Sequence, residues 1–212
     1  MTKMYSERDL VTVDDFFALV PDGQKADLID GVIYIASPDS TDNDQLCGFI
    51  RFLVQGYARV RRLGKVFGSR YAFELSHTRA PEPDVAFVST ARLHLVEKTR
   101  MKGAPDIAVE IVARESRTRD YLEKKNLYES SGVLEYWIID PLQRRAEFYR
   151  LNYGQYHLVP LEQNRIFRSD ILLGFWIDVE WLFADELPDE FEKLQEILNP
   201  QRPSRQINIS DN

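Results

Sequence analysis

Glu110 stands in the run Ile107-Ala108-Val109-Glu110-Ile111-Val112, where every other residue is apolar. A short stretch rich in branched residues and apolar at both alternating sets of positions reads as a strand covered on two faces, so the chain must put layers on both sides of a sheet. Glu110 then faces the interior or a cleft, where an isolated carboxylate is strongly disfavoured unless a cation, hydrogen bonds or a proton offsets its charge. Either a metal ion or a basic side chain has to meet it, and the run alone does not choose between them.

With 212 residues the chain supports one sizeable core. The reading is a single domain over residues 1–198 followed by a polar tail, 199–212, that contains Pro200 and Pro203. A hydrophobic share of 44% with 12% aromatic residues is enough to fill an interior, which excludes a disordered chain. Cys47 is the only cysteine, so an intrachain disulfide and a four-thiolate zinc site are both ruled out, and a reducing, cytoplasmic setting is expected. No apolar stretch approaches a membrane span, and Met1 to Asp9 lacks the apolar core of a signal peptide. The formal charge of −7 argues against a constitutive, non-specific nucleic-acid binder. It leaves a nuclease open, because Lys and Arg gather locally at 59–65, 92–102 and 114–125, whereas acid concentrates at 185–192.

Thr12 reads as the cap of a short helix from Val13 to Val20, ended by Pro21. Asp30-Gly31 between Ala26–Ile29 and Val32–Ala36 predicts a hairpin. Leu46, Phe49, Ile50, Leu53, Val54 and Tyr57 have the spacing of an amphipathic helix. Strands are expected at 64–68, 71–75 and 85–88, then a basic connector over 90–103, then the Glu110 strand. A helix from about Ser116 to Ser130 is predicted, with Ser116 as cap and Gly132 as stop. Glu135 to Ile139 resumes the sheet, Ala146–Leu151 and Tyr156–Leu161 form a second hairpin, 171–179 is strand or extended core, and 183–198 is partly helical.

Three stretches then carry the chemistry. Asp84 opens one strand behind Pro81 and Pro83, Glu110 lies in the middle of the next, and Asp120, Lys124 and Tyr128 recur every fourth residue on the following helix. Residues four apart share a helix face, so Lys124 and Tyr128 can point together at the sheet. Two carboxylates on adjacent strands can converge on one hard cation with oxygen ligands, for which Mg2+ is the natural occupant and Mn2+ a substitute. A lysine beside them can orient or help deprotonate the attacking water and stabilise charge developing on a phosphate. Each residue also has a plainer reading: Asp84 as a turn residue, Lys124 as part of a solvated helix face, Tyr128 as core.

Pro83-Asp84-Val85, Gly103-Ala104-Pro105-Asp106 running into the Glu110 strand, Asp120 through Lys124 to Tyr128, and the block Gly132-Val133-Leu134-Glu135-Tyr136-Trp137-Ile138-Ile139-Asp140-Pro141 together resemble the Uma-two family. That family consists of restriction-endonuclease-like proteins within the PD-(D/E)XK nuclease superfamily. The resemblance runs from the Asp30-Gly31 hairpin to about Val179 and implies an α/β (α+β) core with a mixed central sheet flanked by helices. It implies that Asp84 and Glu110 are the metal-binding acids and that Lys124 is the catalytic lysine. Val112 occupies the position two after Glu110 where the superfamily pattern puts lysine, so the lysine has moved to the helix. Three positions depart from the family pattern: Asp27 where a glutamate is usual, Asn43 where a histidine commonly opens the first long helix, and Ala113-Arg114 in place of Ser-Pro.

The resulting expectation is a Mg2+-dependent endonuclease hydrolysing DNA phosphodiester bonds, with DNA as partner and a homodimer left open. The alternative keeps the fold and drops the chemistry, as a binding or regulatory module. RNA is a third possible substrate class, and no base-reading element is visible from which to read a recognition sequence.

Overall fold

The computed structural model describes residues 10–199. Helix α1, Val13–Leu19, begins with the predicted Thr12 cap, whose side chain and that of Asp15 cap each other's backbone N–H groups. The hairpin of β1, Ala26–Ile29, and β2, Val32–Ile35, follows. Then come α2, Thr41–Arg61, and strands β3, Gly64–Gly68, β4, Ala72–Glu74, and β5, Val85–Ser89. After β6, Arg100–Lys102, and β7, Ile107–Ile111, the chain enters a π-helical stretch, Arg119–Lys124, that runs directly into α3, Lys125–Ser130. The order ends with β8, Glu135–Asp140, β9, Arg145–Asn152, β10, Gln155–Leu158, β11, Ile166–Arg168, β12, Trp176–Asp178, and α4, Glu190–Leu198.

Six strands form the central sheet in the order β10-β9-β8-β7-β5-β3. It is mixed: β7 and β8 run parallel, and the other neighbours are antiparallel. Every residue of β7 and of β8 is buried, as the unbroken apolar run around Glu110 requires. On one face α2 presents Leu46, Phe49, Ile50, Leu53, Val54 and Tyr57 to Val109, Trp137 and Phe148. Each such side chain contributes roughly 1.5–3 kcal/mol by leaving water. On the other face Tyr128 and Val133 pack on Ala108, Tyr136 and Ile138. No helix among the described residues is long and apolar enough to cross a membrane.

Three segments differ from the sequence reading. The basic connector over 90–103 contains a 3-10 turn, Thr90–Leu95, and β6, which pairs with β4 away from the central sheet. Ser116 stands just before the helical residues 117–130, where the sequence places the cap, but its hydroxyl bonds the Asp120 carboxylate rather than a backbone N–H of the first turn. Residues 171–179 are not one strand, because β11 and β12 form a short hairpin closed around Ile171 to Gly174. The polar beginning, Met1–Asp9, and the expected tail beyond Asn199 lie outside the described residues.

Two features of this frame position the site. The antiparallel register of β5 and β7 pairs Val85 with Val109 and Ala86 with Ala108. One step further along it, Asp84 stands opposite Glu110 on the same sheet face, the one covered by α3. The β1–β2 hairpin turns at Asp30, φ 49°, and Gly31, φ 75°, the left-handed pair of a tight hairpin turn. Leu28 then exchanges backbone hydrogen bonds with Ala80 at 3.2 and 2.8 Å, which lays β1 along the segment leading to Asp84.

Candidate active site

Asp84 and Glu110 line one cavity of about 220 Å³ together with Lys25, Asp27, Asp120 and Lys124. Asp84 is fixed at both oxygens: Oδ2 accepts the Ile111 backbone N–H at 2.7 Å, and Oδ1 pairs with the Lys25 ammonium. Glu110 is 2% exposed. Its Oε1 accepts the Tyr128 hydroxyl at 2.7 Å and lies 3.0 Å from Lys124 Nζ. The sequence reading of Asp84 as a mere turn residue therefore fails on its contact with the neighbouring strand.

Lys124 is held from three directions. Its ammonium is 2.9 Å from Asp27 Oδ2, 3.0 Å from Glu110 Oε1 and 3.8 Å from Asp120 Oδ1, and its side chain is 3% exposed. This excludes the solvated helix face as an explanation of Lys124. Four-residue spacing does bring Asp120, Lys124 and Tyr128 to one side. The π-helical turn widens the backbone between Asp120 and Lys124, and such bulges often accompany functional side chains. The Tyr136 hydroxyl donates to the Asp120 carbonyl oxygen at 2.9 Å and ties this turn to β8.

Asp27 comes from β1 and is braced by its neighbour across the chain. Asp27 Oδ1 accepts the Glu82 backbone N–H at 2.8 Å, and Glu82 Oε2 accepts the Ala26 backbone N–H at 3.1 Å. Shorter than the glutamate usual at this position, Asp27 reaches the lysine. Ala113 lines the same cavity, whereas Asn43 and Arg114 border a neighbouring groove.

One lysine cannot neutralise three acids, and the titration behaviour follows. Burial works against a charged Asp27, but Lys124 and the Glu82 N–H outweigh it and lower its pKa. Burial dominates at Glu110, which is pushed up to about 8 despite Lys124, with Asp84, Asp120 and Asp27 adding repulsion. Asp120 rises to about 6 for the same reason. Lys124 itself is raised well above its ordinary value, because its carboxylate neighbours outweigh its burial. The ammonium stays charged while Glu110 and Asp120 remain short of positive charge.

That deficit, with Asp120 Oδ1 buried and lacking a hydrogen-bond donor, is what an additional cation would relieve. Among the described residues no three histidine, cysteine or acidic side chains are arranged to enclose a metal by themselves. A donor set of two carboxylates suits Mg2+, which usually keeps several waters and takes remaining ligands from substrate phosphate. Asp84 and Glu110 are the two carboxylates of this cavity that would hold such an ion.

Against known proteins, a family model described as Uma2, "Putative restriction endonuclease", matches residues 13–180. The chain belongs to the Uma2 family. No curated protein matches it. A solved structure titled "putative nuclease belonging to DUF820", from Anabaena variabilis ATCC 29413, is similar to it in fold, with a TM-score of 0.68 at 16% identity, over 82% of this chain and 97% of the other. In this Uma2 member Asp27, Glu110 and Lys124 form one ion-paired cluster, and Asp84 lines the same cavity.

Sequence reasoning did not find Lys25 or Glu82. Lys25 follows Gln24 in a polar stretch that reads as surface, and its partner is 59 residues away. Glu82, enclosed by Pro81 and Pro83, carried one usable signal: a charged residue in the same short segment as Asp84.

Proposed function

We propose that this Uma2 protein is a divalent-cation-dependent nuclease that hydrolyses phosphodiester bonds in DNA. The observation that carries the reading is the convergence of Asp84 and Glu110, from adjacent strands, on a cavity where Lys124 is ion-paired with Glu110. Asp84 and Glu110 would hold Mg2+ or Mn2+. Such an ion, when bound, polarises a phosphoryl oxygen and makes water a better nucleophile near neutral pH.

The protein's own groups supply the remainder. The Ile111 N–H fixes the Asp84 carboxylate, and the Tyr128 hydroxyl fixes that of Glu110. Lys124, kept charged by Asp27 and its other acids, stands ready to stabilise negative charge as it develops on the phosphate. Asp27, braced by the Glu82 N–H, anchors that ammonium rather than touching substrate.

Supercoiled, single-stranded and RNA substrates incubated with Mg2+ or Mn2+, beside folded Glu110→Gln and Lys124→Ala variants, test the reading. DNA cleavage by the wild type that both variants lose supports it, and cleavage confined to RNA replaces the substrate. No cleavage of any substrate, with no cation-induced rise in thermal midpoint, overturns it in favour of a binding or regulatory module. One observation favours that second reading: Lys25 already pairs with Asp84, and Lys124 with Asp27 and Glu110, so both cavity lysines have protein partners without a metal.

A further inference from the structure

Two lysines face this cavity, and their surroundings differ. Lys124 is enclosed by Asp27, Glu110 and Asp120 and is 3% exposed. Lys25 has a single carboxylate partner, Asp84, and its side chain remains 19% exposed. It precedes β1, where a four-carbon stem can swing without disturbing a strand residue. Asp84 does not depend on Lys25 for its orientation, because the Ile111 N–H holds its other oxygen at 2.7 Å.

The oxygen that Lys25 occupies, Asp84 Oδ1, is the one a metal would need. An ammonium and a divalent cation cannot share it, since like charges at contact distance repel strongly in a partly buried site. We infer that Lys25 is a displaceable counter-ion of Asp84: it occupies the carboxylate in the cation-free protein and is released toward the substrate phosphate when a divalent cation binds. The inference rests on the metal site proposed above and adds a second lysine to it, with Lys124 as the fixed charge and Lys25 as the mobile one. A site so arranged stays closed by an ion pair until cation arrives, and only then exposes a free ammonium on the open side of the cavity.

The test is Mn2+ binding to the full chain by calorimetry without DNA, in wild type, Lys25→Met, Lys25→Gln and Arg119→Gln, each checked for folding by circular dichroism. Arg119 lines the same cavity, stacked over the Tyr34 ring, and serves as the control for a general loss of positive charge. Removing the competitor should tighten Mn2+ binding about tenfold or more at Lys25, while Arg119→Gln stays within about threefold. In DNA cleavage the same Lys25 variants should raise KM through the lost phosphate contact.

A reading in wild type avoids substitution altogether: limited acetylation followed by peptide mass spectrometry should show Lys25 labelling rise several-fold on adding Mn2+, with Lys124 still protected. Wild type that binds Mn2+ and cleaves DNA, with Lys25 variants that bind no tighter and Lys25 labelling unchanged, overturns this inference and leaves the nuclease reading standing. Equal tightening by Arg119→Gln also overturns it. Absence of Mn2+ binding in wild type and variants alike removes both.

Discussion

Lys124 carries one positive charge among three acids, which makes it the most consequential single residue of the site. Breaking a buried ion pair from one side leaves uncompensated charge and costs about 3–5 kcal/mol. Lys124→Met should lose stability of that order in urea denaturation with chelator present, recover part of it on adding Mg2+, and lower the cleavage rate by about 10²–10³-fold. Loss of rate with full stability would mean that the cluster is not the folding element described here. Glu110 and Asp120 make a second prediction. Their folded values of about 8 and about 6 lie above the unfolded ones of about 4.3 and about 3.9, so the folded state binds more protons between those limits. Stability of the metal-free protein should therefore fall as pH rises from about pH 5 to about pH 8. Asp27, whose value is lowered, acts with the opposite sign and only in the acid range, where its protonation removes stability. Thermal midpoints in chelator should show the decline, and Glu110→Gln should flatten its upper half; a midpoint that rises over that range would contradict the charge deficit. At this scale the sequence exposed the residues whose neighbours make them anomalous, Glu110 above all. Lys25 and Glu82 stayed hidden because a polar side chain in a polar segment carries no signal until its distant partner is known.

The β1–β2 hairpin is the element on which the cluster leans, since it delivers Asp27 to Lys124 and, at its start, Lys25 to Asp84. Its turn requires a left-handed residue at Gly31, and a Cβ there would come 2.6 Å from Leu10 Cβ. Gly31→Ala should cost more than about 1 kcal/mol, seen as a thermal midpoint lowered by several degrees in a chain of this size. It should also weaken Mn2+ binding, whereas an unchanged midpoint would place the turn outside the cooperative unit. The same Asp30-Gly31 signal made the hairpin readable in advance, and the 3.6-residue spacing of α2 and the apolar run of β7 were equally plain. Elements fixed by tertiary pairing were not. β6 lies in a basic stretch and is a strand because β4 runs beside it, and the β11–β12 hairpin divides a segment whose apolar content reads as continuous. The π-helical turn at 119–124 has no sequence period that separates it from an ordinary helix.

Across the whole molecule the formal charge is −7, and the cavity itself is lined by more acids than lysines. A polyanion approaching such a surface gains little of the counter-ion release that drives non-specific DNA binding, so the chain by itself should be a poor DNA ligand. On the proposed reading a divalent cation at Asp84 and Glu110 would change that balance locally, by adding positive charge beside the substrate phosphate and by freeing Lys25. DNA association should consequently be undetectable or weak with chelator at about 0.15 M ionic strength and should appear on adding Mg2+. Fluorescence anisotropy of a labelled duplex measures this directly, and Lys124→Met slows turnover during the titration. The binding module makes the contrary demand: a protein that works by holding DNA must do so without the ion. Tight, cation-independent association would therefore move the weight of the acidic cluster from chemistry to architecture, with Lys25 and Lys124 as permanent ion-pair partners rather than as working groups.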